Sequence, residues 1–213
     1  MNDLKKWHRQ TIGQRVVQEL QKNNFAAVYF EERADALQYI MANIPEGATI
    51  GIGGSATLRE IGLVSLLKEK GFVLYDHNEP GLTPIEKTEM RYKEQTADVF
   101  ISSTNAITLS GELVNRDSTG NRVAAMMFGP KTVIVVAGIN KVVRDLAEAD
   151  ERIKLYAAPI NTKRHELPNP CLKTGQCADC RSAQRICNIT TVIHRRPPLT
   201  NMHVVLIGEY LGF

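Results

Sequence analysis

The segment KTVIVVAG, residues 131–138, constrains the fold more than any other stretch of this chain. Its apolar residues run on without polar alternation, and a strand of that kind is stable when both faces are covered. Strand and helix patterns alternate around it. AAVYF at 26–30, ATIGIG at 48–53, FVLYD at 72–76 and ADVFISS at 97–103 read as strands. Residues 4–22, 34–44 and 57–71 carry helical stripes. The last of these has Thr57 and Glu60 at capping-box spacing and Gly71 at its stop. The alternation predicts an α/β fold, a three-layer α/β/α sandwich around a mostly parallel sheet, with 131–138 near its centre.

The remaining segments are shorter. Residues 106–117 read as two strands joined near Ser110-Gly111, and 120–129 as a short helix or turn. A helix near 144–152, a strand at 153–156 and a helix near 158–166 follow. The polar region 77–95 reads as a loop and helix over one sheet edge. A chain of 213 residues suits one domain, 1–213, that carries a cysteine-rich loop at 168–188. A net charge of +3, one tryptophan and few other aromatics give no support for a nucleic-acid partner. No window approaches eighteen apolar residues, so no membrane span is expected. The polar N-terminus lacks an apolar signal core, which makes a cytoplasmic protein the expectation.

GIGGSATLREIG lies where a strand gives way to a helix. Gly51, Gly53 and Gly54 permit backbone geometries that other residues resist, and Ser55 and Thr57 add hydroxyls. Such a loop can turn its amides on an anion, with the helix start behind them. It can equally be a tight strand–helix turn. It is neither a Walker loop, because no GK[ST] follows, nor a GxGxxG dinucleotide fingerprint. Further on, Asn115, Arg116, Asn121 and Arg122 sit between apolar runs, where strand ends line a crevice in α/β folds. Arg122 is the expected clamp for an anionic small molecule, and Glu112 the candidate carboxylate base or nucleophile. The competing account of this segment is ordinary turn chemistry.

All four cysteines fall within seventeen residues, as Cys171-x5-Cys177-x2-Cys180-x6-Cys187. In a reducing compartment such a cluster points to a metal centre rather than to disulfides, with four free cysteines and a redox-active CxxC as the competing account. Four thiolates satisfy a [4Fe–4S] cluster, one ligand per iron, and they also satisfy tetrahedral zinc. Gly175 lets the loop turn, and Arg181 and Arg185 can offset the charge of the thiolates.

Taken together, GIGGSATLREIG, ITLSGELVNRDSTGNRVAAMMFGPKTVIVVAGINKVV and CLKTGQCADCRSAQRICN resemble the LUD-domain family, formerly a domain of unknown function. That family includes the LutC-like lactate utilization proteins. The resemblance runs from about residue 10 to Phe213. It implies a ribose-5-phosphate isomerase/CoA-transferase-like fold. It also implies that the glycine loop and Asn115–Arg122 border one pocket, and it implies a link to L-lactate oxidation by a multisubunit iron–sulfur system. The chain has no ferredoxin-type run ending in CP and no flavin or nicotinamide fingerprint. The leading expectation is therefore an iron–sulfur accessory or redox protein in the oxidation of lactate or a related organic acid. Its partners would be oxidoreductase or electron-transfer subunits, and homo-oligomerisation stays open. The alternatives are an enzyme or sensor acting on a phosphorylated or CoA-linked small molecule with a structural zinc loop, and a non-catalytic interaction scaffold.

Overall fold

The computed structural model describes residues 2–213. A six-stranded, wholly parallel sheet forms the centre. It contains β1 (Ala26–Phe30), β2 (Thr49–Ile52), β3 (Val73–Tyr75), β4 (Val99–Ser102), β7 (Thr132–Gly138) and β10 (Asn201–Ile207), in the order β1-β10-β7-β4-β2-β3. The expected doubly covered strand is β7, which lies between β10 and β4 with Val133 to Gly138 all buried. Its alternate side chains enter two different cores. Val133, Val135 and Ala137 face one, and Ile134 and Val136 face the other.

Helix α1 (Asn2–Lys22) closes the first core with Val16, Val17 and Leu20, and α6 (Asn121–Met127) adds Ala125 and Met126. Three helices cover the second face: α2 (Arg33–Ala42), α3 (Ala56–Glu60) and α4 (Leu63–Glu69). Each fully enclosed Leu, Ile or Phe in these layers contributes roughly 2 kcal/mol. Helix α5 (Pro84–Thr96) begins with a full capping box between Thr83 and Glu86 and packs on β2 and β3. It comes close because Gly51 has no side chain: a Cβ there would lie 3.0 Å from the Glu94 backbone.

A smaller mixed sheet flanks the main one in the order β8-β5-β6-β9. Its strands are β5 (Ala106–Thr108), β6 (Leu113–Asp117), β8 (Val142–Val143) and β9 (Ile189–Ile193). Strands β6 and β9 run antiparallel with Arg116 opposite Thr190 and Asp117 opposite Ile189. The cysteine loop is thereby tied to the same sheet as the central polar segment. Among the described residues, no helix is long and apolar enough to cross a membrane.

Two sequence expectations fail. The single helix over 57–71 is two helices, broken where Gly62 takes φ of 76°. Its first turn is capped by Ser55 Oγ, which accepts from Leu58 N at 3.4 Å, and not by Thr57. The strand expected at 153–156 is a π-helical turn, Ile153–Ala157, joining α7 (Leu146–Arg152) to α8 (Ala158–Arg164). Only Ile153 and Ala157 of this turn are buried, one helical turn apart, so the apparent two-residue alternation of IKLY carried no strand. The carbonyl of Lys154 in this turn accepts from Cys177 N at 2.9 Å.

Candidate functional site

Adjacent strands β2 and β4 send their connections in opposite directions across the sheet. The crevice outside the carboxyl ends at such a point is where α/β sheets hold ligands. A cavity of about 370 Å³ lies there. It is bordered by the loop after β2, the loop after β4, the turn after β7, and segments of β6, α6 and α8. Gly54, Ser55 and Thr57 line it, together with Arg116, Asn121 and Arg122. The glycine loop and the central polar segment therefore meet across one space.

Other expected residues stand elsewhere. Gly51 is buried within β2, beneath α5, and Gly53 packs against the next strand: a Cβ on it would lie 2.5 Å from Ser102 Oγ and 2.8 Å from Phe100. Both glycines shape the loop without lining the cavity. Gly54 does line it, and its bare Cα lets Asn78 approach, since a Cβ would meet Asn78 Nδ2 at 2.7 Å. Helix α3 behind the loop has only five residues, too short to supply the anion-attracting helix end expected of it. Asn115 is fully buried behind the wall and accepts from Arg122 Nη1 at 2.7 Å. Glu112 lies at the far end of the β5–β6 hairpin, where Thr108 Oγ1 donates to it at 2.7 Å and His194 Nδ1 lies 3.0 Å away. It is hairpin chemistry, remote from the cavity.

The cavity is strongly cationic. Arg91, Arg116, Arg122, Lys141 and Arg164 line it, against a single carboxylate, Asp117. Asp117 already accepts from the backbone N–H groups of Ser118 and Val123. The guanidinium of Arg122 is similarly committed. Nη1 donates to Ser103 O and Asn115 Oδ1, and Nη2 donates to Asn105 Oδ1 and Arg116 O. Arg122 thus gives the site positive charge and rigid walls, and its donor fork is spent inside the protein. Arg116 is partly committed as well, to Asp150 at 2.6 Å and Thr190 at 3.1 Å. Buried Nε of Arg91 and Oδ1 of Asn161 have no protein partner, and both residues line the cavity. A buried polar atom without a partner costs free energy that a bound ligand can recover.

Two further groups escaped the sequence reading. Lys141 closes the 3-10 turn after β7 and is 3% exposed. Its Nζ donates to Ser103 Oγ at 2.9 Å and to Thr57 Oγ1 at 3.0 Å. Burial, reinforced by the charges of Arg152 and Arg122, pushes its pKa down to about 7. A lone lysine inside the apolar run VIVVAGINKVV was the available signal. His77 also lines the cavity, with Nδ1 2.6 Å from Oε1 of the fully buried Glu94. Glu94 Oε2 accepts from Asn121 Nδ2 at 3.3 Å. No sequence signal marked Glu94, one acid among many on a polar helix.

The four cysteines line a second, much smaller cavity of about 20 Å³. None is in a disulfide, and each is half-buried. Among the described residues, no three His, Cys, Asp or Glu side chains are grouped as ligands of a metal ion. The donor chemistry nevertheless fits a thiophilic centre: four soft ligands around one space, with Arg185 beside them. Arg185 donates to the carbonyls of Cys180 and Cys187 and pairs with Asp179, which staples the loop. The backbone N–H of Asp179 also points at Cys177 Sγ, 3.3 Å away. Burial, and after it the proximity of Cys177, pushes the Cys187 thiol above its usual range. The space is that of about one water-sized species. Ile186 lines both this space and the cationic cavity.

The LUD domain profile matches residues 13–207. A crystal structure of a DUF162 family protein from Deinococcus radiodurans is similar over 94% of this chain and 98% of that one, with 14% identity and a TM-score of 0.55. That likeness establishes the shared fold. A D-ribose-5-phosphate isomerase in complex with phospho-erythronic acid aligns over 55% of each chain at 15% identity and a TM-score of 0.38. The eIF2B delta of Chaetomium thermophilum aligns over 55% of this chain and 50% of its own at 21% identity and a TM-score of 0.36. No curated protein matches the chain.

Proposed function

This chain belongs to the LUD domain family, which is linked to lactate utilization, and from that premise we propose that it is an iron–sulfur accessory protein of organic-acid oxidation. In this reading the cationic cavity binds a small anionic substrate or product. Cys171, Cys177, Cys180 and Cys187 hold the cluster, and L-lactate or a related hydroxy acid is the metabolite served. A cluster on that loop supplies one-electron transfer to or from partner oxidoreductase subunits. The wider kinship with ribose-5-phosphate isomerases and CoA transferases belongs to the same reading and rests on the motif resemblance.

The observation that carries it is Ile186, which lines both cavities, so that the cysteine loop adjoins the anion site. The protein's own groups do the binding work. Arg164 and Arg91 offer charge and donors, the backbone and hydroxyls of the Gly54–Thr57 segment shape the wall, and Glu94 fixes the His77 ring. A second reading keeps the cavity and changes the metal: a sensor or enzyme for a phosphorylated or CoA-linked molecule with structural zinc. It is favoured by the excess of cations over carboxylates in the lining.

Anaerobic purification with metal, sulfide and absorption analysis tests the first reading. About four irons per chain, lost on substitution of Cys180, support it. One zinc per chain, with no iron under conditions that permit cluster assembly, removes it in favour of the second.

A further inference from the structure

The anion cavity leaves Lys141 unexplained. The arginines of the lining supply positive charge, yet one further cation there is a lysine enclosed to 3% exposure. Among the described residues it pairs with no carboxylate, and its contacts are two hydroxyls, Thr57 Oγ1 and Ser103 Oγ. A lysine held only as a counter-charge would be expected beside an acid. A neutral amine has two N–H bonds and one lone pair. Donating both hydrogens to the two hydroxyls leaves the lone pair free at the cavity wall.

We propose that Lys141 is a nucleophilic amine that condenses with the carbonyl group of a small anionic compound held in the cationic cavity. The compound's anionic group, a carboxylate or a phosphate, lies toward the outer arginines, Arg164 above all. Its carbonyl carbon reaches Nζ. The shared chemistry is that of 2-oxo acids and phosphorylated sugars.

The step balances without an oxidant or reductant. The Nζ lone pair attacks the carbonyl carbon, a C–N bond forms, and the C=O π pair moves to oxygen. That oxygen takes the proton released from nitrogen and gives a carbinolamine. The C–O bond then breaks as water departs with a second proton, and a C=N bond remains. Thr57 and Ser103, already hydrogen-bonded to Nζ, are the groups through which those protons can pass. The fraction of neutral amine supports this chemistry near neutral pH, because burial depresses the Lys141 pKa to about 7.

This inference rests on the reading of the cavity as an anion site, and the experiment separates the two. The full chain is incubated with pyruvate in one arm and ribose 5-phosphate in the other, each with borohydride, then analysed by intact mass and peptide mapping. Calorimetry with each compound alone runs in parallel. The expected result is a single reduced adduct on Lys141 from at least one arm, with a yield that rises as pH increases through neutrality. The arm that gives it identifies the substrate class. Lys141→Arg and Lys141→Met should both lose the adduct, and wild-type peptide mapping decides the matter should either variant fail to fold. Adducts spread over exposed lysines, or none at Lys141, overturn the proposal. Anion binding without an adduct leaves the cavity reading standing and removes this one; no binding in either arm together with no adduct removes both.

Discussion

Glu94 and His77 form a fixed pair on the cavity wall: the buried carboxylate lies 2.6 Å from His77 Nδ1 and also accepts the His77 backbone N–H at 3.0 Å. Two contacts from one oxygen lock the ring's position. The other ring nitrogen, Nε2, lies 3.1 Å from Asn78 Nδ2, on the side of the Gly54 loop. A carboxylate that orients an imidazole in this way sets which ring nitrogen faces a ligand.

Glu94→Ala should therefore cost stability as well as function. It strips partners from the His77 backbone, the His77 ring and Asn121, and a loss of about 2 kcal/mol is expected. Glu94→Gln keeps the shape and should retain most of the stability while loosening the ring. Thermal unfolding of both variants, read with anion affinity by calorimetry, checks this; an alanine variant as stable as the wild type would show that the pair is not structural.

Arg122 and Arg164 should behave oppositely. Arg122→Ala leaves four protein oxygens short of a donor and is expected to destabilise by about 3 kcal/mol. Arg164 stands at the exposed rim, over the Phe213 ring at 5.4 Å. Arg164→Ala should leave folding intact and weaken an anion by about 1 kcal/mol, roughly fivefold. Urea unfolding and calorimetry on the two variants separate the roles.

Lys141 makes stability depend on pH in a definite direction. Its folded-state pKa is about 7, against an ordinary 10.5. Between these values the unfolded chain binds more protons than the folded one, so stability arising from this group rises from about pH 7 toward 10.5 and falls as pH drops back. The slope should reach roughly 1 kcal/mol per pH unit. Denaturant unfolding at about pH 7 and pH 9 should show the wild type gaining on Lys141→Met; equal pH dependence in both proteins would place the ammonium in the folded state throughout.

If the cysteine loop holds a metal as proposed, removal of Arg185 should weaken its loading even with all four thiols present. Arg185→Ala frees the carbonyls of Cys180 and Cys187 and the Asp179 carboxylate. Reconstitution with iron and sulfide, or with zinc, followed by metal analysis should give clearly lower loading than the wild type. Arg185→Lys should recover part of it. Undiminished loading in the alanine variant would show that the thiols alone organise the loop.

The parts of the architecture that the sequence made legible are those where burial imposes a repeat. A continuous apolar run marked β7 because both of its faces are covered, and Ser55 with Thr57 marked a loop that does reach the cavity. What escaped depends on contacts distant in sequence. Lys141 meets Thr57 and Ser103 across 84 and 38 positions, and Glu94 reaches His77 across 17. The Gly62 break escaped for a local reason, since a four-residue apolar spacing is shared by a continuous helix and by two short ones, and the π-helical turn after Arg152 escaped because four residues, IKLY, show an alternation too short to tell strand from helix. Arg122 was found but misjudged, since its type showed a donor fork and only the fold showed the four acceptors already on it.

The β6–β9 pairing has a consequence for how the protein responds to its surroundings. Arg116 and Asp117 on the cavity wall are laddered to Thr190 and Ile189, two to three residues beyond Cys187. That ladder is one route by which a change in the loop's conformation can reach the cavity wall, beside the Cys177 N–Lys154 O contact and Ile186. In the proposed reading, any factor by which loading of the loop changes the affinity of the cavity is returned to the loop in equal measure.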